Sequence, residues 1–220
     1  MLDESRTQIG VVQGIVGINW WNCSATGFAN HGGTTPMNRR QDALVAASRA
    51  VLAVGEEVRA EPGRQVGTVG YLRVEPGARN VVPGRVDFPV ELRDLDSQKI
   101  ARVWSRIEKR FQQIGQEQKV GIACAAGDPA APALTDPVLQ DEIRKASRAA
   151  GFTALDLPSG AGHDAQQISR IASIGMIFVP SRDGISHSPR EYSSPDNVAN
   201  GAEVLYRTIL AVDVKASPDR

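Results

Sequence analysis

Residues Val86 to Arg93 alternate cleanly, with Val86, Phe88, Val90 and Leu92 on one side and Asp87, Pro89, Glu91 and Arg93 on the other. A period of two is that of a strand with one buried and one polar face. A few residues later the period changes. Ile100, Val103, Ile107, Phe111 and Ile114 recur at helical spacing as one apolar stripe, behind Asp96 or Ser97 as N-cap and ahead of Gly115, which is placed to end the helix. A one-faced strand running into a one-striped helix calls for a sheet with helices packed on one side. Pro89 cannot donate to a ladder, so the strand should be an edge or bulged there.

The flanking stretches extend the pattern. Ile9 to Phe28 is rich in Val, Ile and Trp, with glycines at Gly14 and Gly17, and reads as one long bent strand or two short ones. Of Trp20 and Trp21, one should pack in the core and the other face an interface. A helix follows over Met37 to Val54, with Leu44, Ala47, Val51 and Val54 on one face. Val66 to Val74 reads as a strand between turns at Glu61-Pro62-Gly63 and Glu75-Pro76-Gly77, and Val120 to Ala125 as another. Strand, helix, strand, strand, helix, strand is the ferredoxin-like βαββαβ order. It spans residues 10–125, and its bare sheet face or an edge must be solvated or covered by a partner.

Gly127 to Pro132 reads as a linker. Beyond it, helix and strand alternate, as in an α/β unit. Asp136 and Pro137 start a helix with Leu139, Ile143, Ala146 and Ala150 inward and Gly151 at its end. Phe152 to Leu157 is a strand, Asp164 to Ile171 a helix, and Met176 to Val179 an apolar strand suited to a buried parallel position. Ser194-Pro195 opens a last helix with Val198, Ala202, Leu205 and Ile209 on its inner face. Two strands are few for a complete doubly wound sheet.

Lysine plus arginine and aspartate plus glutamate both number 25, and a zero net charge argues against nucleic acid or an anionic membrane as partner. No apolar run reaches the ~18 residues of a spanning helix, and the polar start at Met1 to Gly10 lacks a signal peptide's apolar core. Cys23 and Cys124 are too few for a disulfide framework, and both should stay reduced in a cytoplasmic protein, although one bridge between them remains open.

All three histidines, His31, His163 and His187, lie in loops of Gly, Ser and Thr. Imidazole is the usual metal ligand and the proton carrier of neutral pH, so the loops read either as a site or as three unrelated polar turns. Their wording is more specific. Gly27 to Met37 with Arg40, Asp42, Ala43 and Leu44, then Pro158 to Ala165, Gly175 to Ser181, Gly184 to Pro189 and Glu191-Tyr192, resemble in order the signatures of the N-carbamoyl-L-amino-acid hydrolases and allantoate amidohydrolases. These belong to the aminoacylase/carboxypeptidase clan of zinc hydrolases.

The resemblance implies an α/β class. A ferredoxin-like lid and dimerisation domain (10–125) should follow a remnant of catalytic domain or hinge (1–9) and precede the C-terminal part of the zinc-hydrolase catalytic domain (126–220). His187 matches a metal ligand, and His31 matches a lid histidine that stabilises the oxyanion across the dimer. Asn80 and Arg93 match residues holding the substrate carboxylate, and Gly162 and His163 match a loop lining the substrate pocket. Arginine forks onto a carboxylate in bidentate fashion, and a fixed imidazole can donate to a developing oxyanion. Each also has a plainer reading: Arg93 as a surface ion pair, Asn80 as a turn residue, His163 as a helix cap, Tyr192 as core. The family's His-x-Asp motif, Glu-Glu pair and further histidine have no counterpart, and Asp3 and Glu4 read as solvated terminal charges. A catalytic zinc takes about three protein ligands, so His187 alone should stay without metal. The zinc or manganese of the parent family is therefore not expected in this chain. Homodimerisation through the lid, a separate N-terminal half and another protein are the partners to test.

Overall fold

Val86, Phe88, Val90 and Leu92 are all buried, and the strand that carries them lies inside its sheet rather than at an edge. The computed structural model describes residues 1–216; the last four residues of the part read as 126–220 lie outside them. In chain order the elements are β1 (Ile9–Ile15), β2 (Gly17–Thr26), β3 (Asn30–His31), α1 (Ala43–Ala60), β4 (Val66–Thr68), β5 (Arg73–Glu75), β6 (Val81–Val82), β7 (Arg85–Asp94), α2 (Ser97–Gln118), β8 (Gly121–Ala126), β9 (Ala133–Leu134), α3 (Pro137–Ala149), β10 (Ala154–Ser159), α4 (Ala165–Ile168), β11 (Ile177–Phe178) and α5 (Pro195–Ala216), with 3-10 turns at Met37–Arg39 and Arg182–Gly184. Two units result: residues 17–132, and residues 1–16 together with 133 onward.

Residues 17–132 form the expected ferredoxin-like unit, an antiparallel sheet in the order β4-β7-β2-β8 with β5 also on β7. Pro89 sits at neither an edge nor a bulge. Its register with β2 runs unbroken from Gly17↔Asp94 to Thr26↔Arg85. On the other side β4 reaches only to Glu91 and β5 begins only at Asp87, so the proline falls in the gap between them, where no donor is needed. The single strand expected over Val66 to Val74 is thus two short strands.

Helix α1 starts later than expected, at Ala43, because Asp42 accepts the N–H groups of Leu44 and Val45 and so acts as N-cap. Its inner face is Ala43, Ala46, Ala47, Ala50, Ala53, Val54 and Val58, while Leu44 and Val51 are only half-buried. Helix α2 buries the stripe read from the sequence, Ile100, Val103, Ile107, Phe111 and Ile114. It passes Gly115 and ends at Lys119, which takes the left-handed conformation (φ 54°), while the Gly115 carbonyl accepts the N–H of Val120. Trp21 is in the core, stacked on Trp104 of α2 with centroids 3.9 Å apart, and Phe88 meets Phe111 edge-on at 5.9 Å. Cys23 and Cys124 oppose each other directly on β2 and β8 and form a disulfide, so the expectation of reduced thiols is corrected.

In the other unit, β1 is central: parallel to β10, antiparallel to β11 and β9. The first strand read into the 10–125 domain therefore belongs here, and the divisions fall at 16/17 and 132/133 rather than at 10 and 125. Being covered on both faces explains its near-continuous apolar run: Ile9 and Val11 pack with Ile143, Ala146 and Val204, and Ile15 with Ala133 and Ile174. Strand β11, expected parallel and buried, is antiparallel and half-buried, since β1 is its one sheet partner among the described residues. Helix α3 is capped by Asp136 and ends at Gly151 as expected. Helix α4 is a single turn.

The last helix departs most from its expected face. Val204 and Thr208 are buried, whereas Val198, Leu205 and Ile209 are 55%, 52% and 57% exposed. Close approach sets this rotation: a Cβ on Gly201 would lie 2.5 Å from Val179 Cγ1, so the glycine has to face that strand end and the apolar stripe turns outward.

Candidate functional site

Two loops of the ferredoxin-like unit are knitted by a miniature sheet. β3 pairs with β6, Asn30 opposite Val82 and His31 opposite Val81. The Gly32 N–H donates to the Asn80 carbonyl at 2.7 Å, and a Cβ on Gly32 would meet that carbonyl at 2.8 Å, so only glycine allows the approach. His31 and Asn80, which carry separate roles in the family resemblance, are thereby brought side by side through their backbones, and both are exposed. His31 Nδ1 accepts the N–H groups of Gly33 (3.0 Å) and Thr34 (3.1 Å). The His31 carbonyl accepts from the Thr35 hydroxyl and N–H. Arg40 Nε donates to the Thr35 carbonyl and its Nη2 to that of Gly32. Arg40 belongs to the same motif, and its half-buried guanidinium is structural to the loop, a role that the motif alone does not reveal.

Arg93, on the polar face of β7, is held by Glu91: Nε to Oε1 at 2.7 Å and Nη2 to Oε2 at 3.1 Å. The same carboxylate accepts Trp20 Nε1 at 2.7 Å. Burial is the largest single influence on Glu91 and pushes its carboxyl up, but the hydrogen bonds from Arg93 and Trp20 and the charge of Arg93 together outweigh it and leave it below the usual range. The plain ion-pair reading of Arg93 is thus realised, and a carboxylate ligand would have to share the guanidinium with Glu91.

In the other unit, His163 Nε2 lies 2.8 Å from the Ser159 hydroxyl, and Ser159 is 1% exposed at the end of β10. The ring centroid is 6.0 Å from that of Phe178. His163 caps nothing with its side chain; its carbonyl accepts from Gln166 N–H, and Gln166 Oε1 accepts the His163 N–H beside Gly162. Ser159 as a tether of the imidazole is not legible in the sequence, because only its burial singles it out.

His187 is exposed, with positive φ (54°), and its N–H donates to Glu191 Oε2 at 2.8 Å. Tyr192 is not a core residue: it is 45% exposed, its ring lies under the Arg182 guanidinium at 4.4 Å, and its carbonyl accepts Arg182 N–H. Asp3 is not merely a solvated charge, since its carboxylate accepts Asp183 N–H at 2.8 Å; Glu4 pairs with the N-terminal ammonium in the open. Among the described residues no three His, Cys, Asp or Glu side chains gather as a metal site. One imidazole falls short of the roughly three ligands of a catalytic zinc, so the donor set of these residues does not fit a metal by itself. An apolar groove of about 400 Å³ lies along α3, β11 and α5, lined by Leu139, Ile143, Ile177, Leu205, Ile209 and Val212, and contains none of the site residues above.

Residues 29–211 match peptidase family M20/M25/M40, and the chain belongs to that family. Within it, the chain is similar to an N-carbamoyl-L-amino acid amidohydrolase of Geobacillus stearothermophilus, 42% identical over 209 residues, covering 95% of this chain and 51% of the relative. It is similar to a ureidoglycolate hydrolase of Arabidopsis thaliana, 34% identical, covering 97% and 45%. A crystal structure of an amidase of the hydantoinase/carbamoylase family from Burkholderia multivorans superposes with TM-score 0.91 at 36% identity, covering 96% of this chain and 51% of that one. The chain thus spans about half the length of the relatives it matches. Among the described residues no helix is long and apolar enough to cross a membrane.

Proposed function

We propose that this chain is the substrate-gripping part of a metal-dependent amidohydrolase that opens C–N bonds of N-carbamoyl amino acids or allantoate, and that its 220 residues alone turn over neither. One observation carries the reading. The family match runs along nearly the whole chain while spanning half of each relative, and the described residues offer His187 as the single assigned metal ligand. The chain by itself then lacks a complete zinc or manganese site among its described residues. What stays is recognition: Arg93 and Asn80 for a carboxylate, His31 as a donor to the scissile carbonyl oxygen, His163 and Gly162 as pocket wall. The unit pairs with a second copy through the outer edge of β8, whose one sheet partner among the described residues is β2, so that His31 serves the neighbouring subunit.

The test is a purified chain assayed for bound zinc, for turnover of N-carbamoyl amino acids, for mass by gel filtration and for carboxylate binding by calorimetry. The expected result is a dimer with weak binding, no tight zinc and no turnover. Stoichiometric zinc together with turnover would overturn the proposal.

The outward apolar face of α5 favours a second reading, one subunit of a split hydrolase. Leu205, Tyr206, Ile209 and Leu210 are each about half exposed or more beside the apolar groove. Adding a polypeptide equivalent to the unmatched half of a relative should then restore turnover, and Leu205→Asp with Ile209→Asp should abolish the rescue. Binding of that face to an unrelated protein without any rescue would instead mark a non-enzymatic interaction module.

A further inference from the structure

The loop from His31 to Arg40 does more than carry an imidazole. A backbone N–H is always a donor, so a nitrogen that receives two of them, from Gly33 and Thr34, must present its lone pair. The proton of the neutral His31 ring is therefore on Nε2, which leaves this exposed side chain with an N–H to offer. That arrangement exists only while the loop keeps its shape. Three contacts hold it: Gly32 N–H on Asn80 O, Thr35 on His31 O, and the Arg40 guanidinium on the carbonyls of Gly32 and Thr35. Thr35 on His31 O and Arg40 both bridge the segment that supplies the two N–H donors, and Arg40 does so with one side chain bound to the carbonyls at either end, Gly32 and Thr35. Its planar fork can reach two carbonyls at once, whereas a lysine ammonium is a single point of charge.

We propose that Arg40 is a positioning residue. By clamping the carbonyls of Gly32 and Thr35 it keeps two N–H groups on His31 Nδ1, and so holds His31 in the Nε2–H tautomer that donates to a carbonyl oxygen gaining negative charge. The ligand class, a planar carbamoyl or carboxamide oxygen, rests on the function proposed above; the tautomer does not.

The test uses the ¹⁵N-labelled chain at a pH where imidazole is neutral, with two-bond ¹H–¹⁵N correlation of the ring nitrogens assigned by His31→Gln. The expected spectrum shows His31 Nδ1 unprotonated and Nε2 protonated. In Arg40→Gln both nitrogens move toward the average of the two tautomers, and amide exchange at Gly33 and Thr34 accelerates roughly tenfold or more, as loss of a charge-assisted bond implies. Arg40→Lys falls between. A wild-type His31 protonated on Nδ1, or averaged between tautomers, overturns the proposal, as does an unchanged spectrum and exchange in Arg40→Gln. Should Arg40→Gln not fold, Arg40→Lys decides: intermediate values support the clamp and wild-type values sink it. Turnover is not read here, so an inactive assembled enzyme with the Nε2–H signature intact would count against the function and leave the clamp standing.

Discussion

Residues 17–132 cover most of the large apolar groups of their two long helices, whereas residues 1–16 and 133 onward bury β1 but leave α5 with large apolar groups exposed. In the first unit α2 turns its apolar stripe inward and α1 buries an alanine-rich face, leaving Val45 and Leu52 outside; Ile107, Phe111, Val86 and Val90 are 2% exposed or less. In the second, α5 turns a row of large apolar side chains outward, Val214 at 70% among them. A soluble chain rarely leaves a patch of that kind uncovered unless something binds there. The contrast teaches that the two units differ in how far their helices' large apolar groups are covered by the described residues: mostly in the first, little along α5 in the second.

The largest effect expected from this contrast concerns the bridge between Cys23 and Cys124, which spans 101 residues of the first unit. Replacing both cysteines by alanine should lower that unit's stability by up to about 4–5 kcal/mol on the chain-entropy account. Denaturation followed by Trp21 and Trp104 fluorescence reads it, and an unchanged midpoint would show the bridge to be idle. Next comes a matched pair of helix substitutions. Ile107→Ala, at 0% exposure, should cost about 2–5 kcal/mol, whereas Ile209→Ala, at 57%, should stay within about 0.5 kcal/mol in the isolated chain. Comparable losses at both positions in urea titrations would break the comparison.

A smaller effect is expected at the cap of α1. Asp42→Ala removes the acceptor of two N–H groups and should cost about 1 kcal/mol, seen as a lower denaturant midpoint with an unchanged slope. The smallest is pH-dependent. The Glu91 carboxyl lies below its ordinary value in the folded unit, so its contribution is present above the unfolded-state value and disappears as pH falls through the folded one. As a partly exposed ion pair it should be worth at most about 1 kcal/mol. Comparing acid unfolding of the wild type with Glu91→Gln measures it, and identical acid limbs would remove Glu91 from the account.

Most of the first unit is legible in the sequence because its signals are local. The period of two from Val86 to Leu92, the stripe on α2 and the capping Asp96 each depend on residues a few positions apart. The departures share a cause as well. Pro89 reads as an edge because the gap between β4 and β5 is a property of two other strands. Gly115 reads as a stop because the carbonyl contact with Val120 is made after the chain turns back. β1 reads as part of the lid because the parallel partner that claims it lies about 145 residues onward, at Ala154. The site divides in the same way. His31, Asn80, Arg93, Gly162, His163 and His187 are visible through their motifs, but Arg40 as a clamp and Ser159 as the anchor of His163 are not, since hydrogen-bond partners are a matter of place rather than of spelling.

The sequence by itself determined the family, the βαββαβ order and the faces of α2 and β7, because period, caps and motif wording are encoded within single elements. Only the tertiary structure decided that β1 joins the second sheet, that Cys23 meets Cys124, that α5 rotates its apolar row outward around Gly201, and that the N–H groups of Gly33 and Thr34 converge on His31 Nδ1. Each of these depends on atoms brought close from distant positions, and packing geometry, not local preference, selects among the arrangements the chain could otherwise adopt.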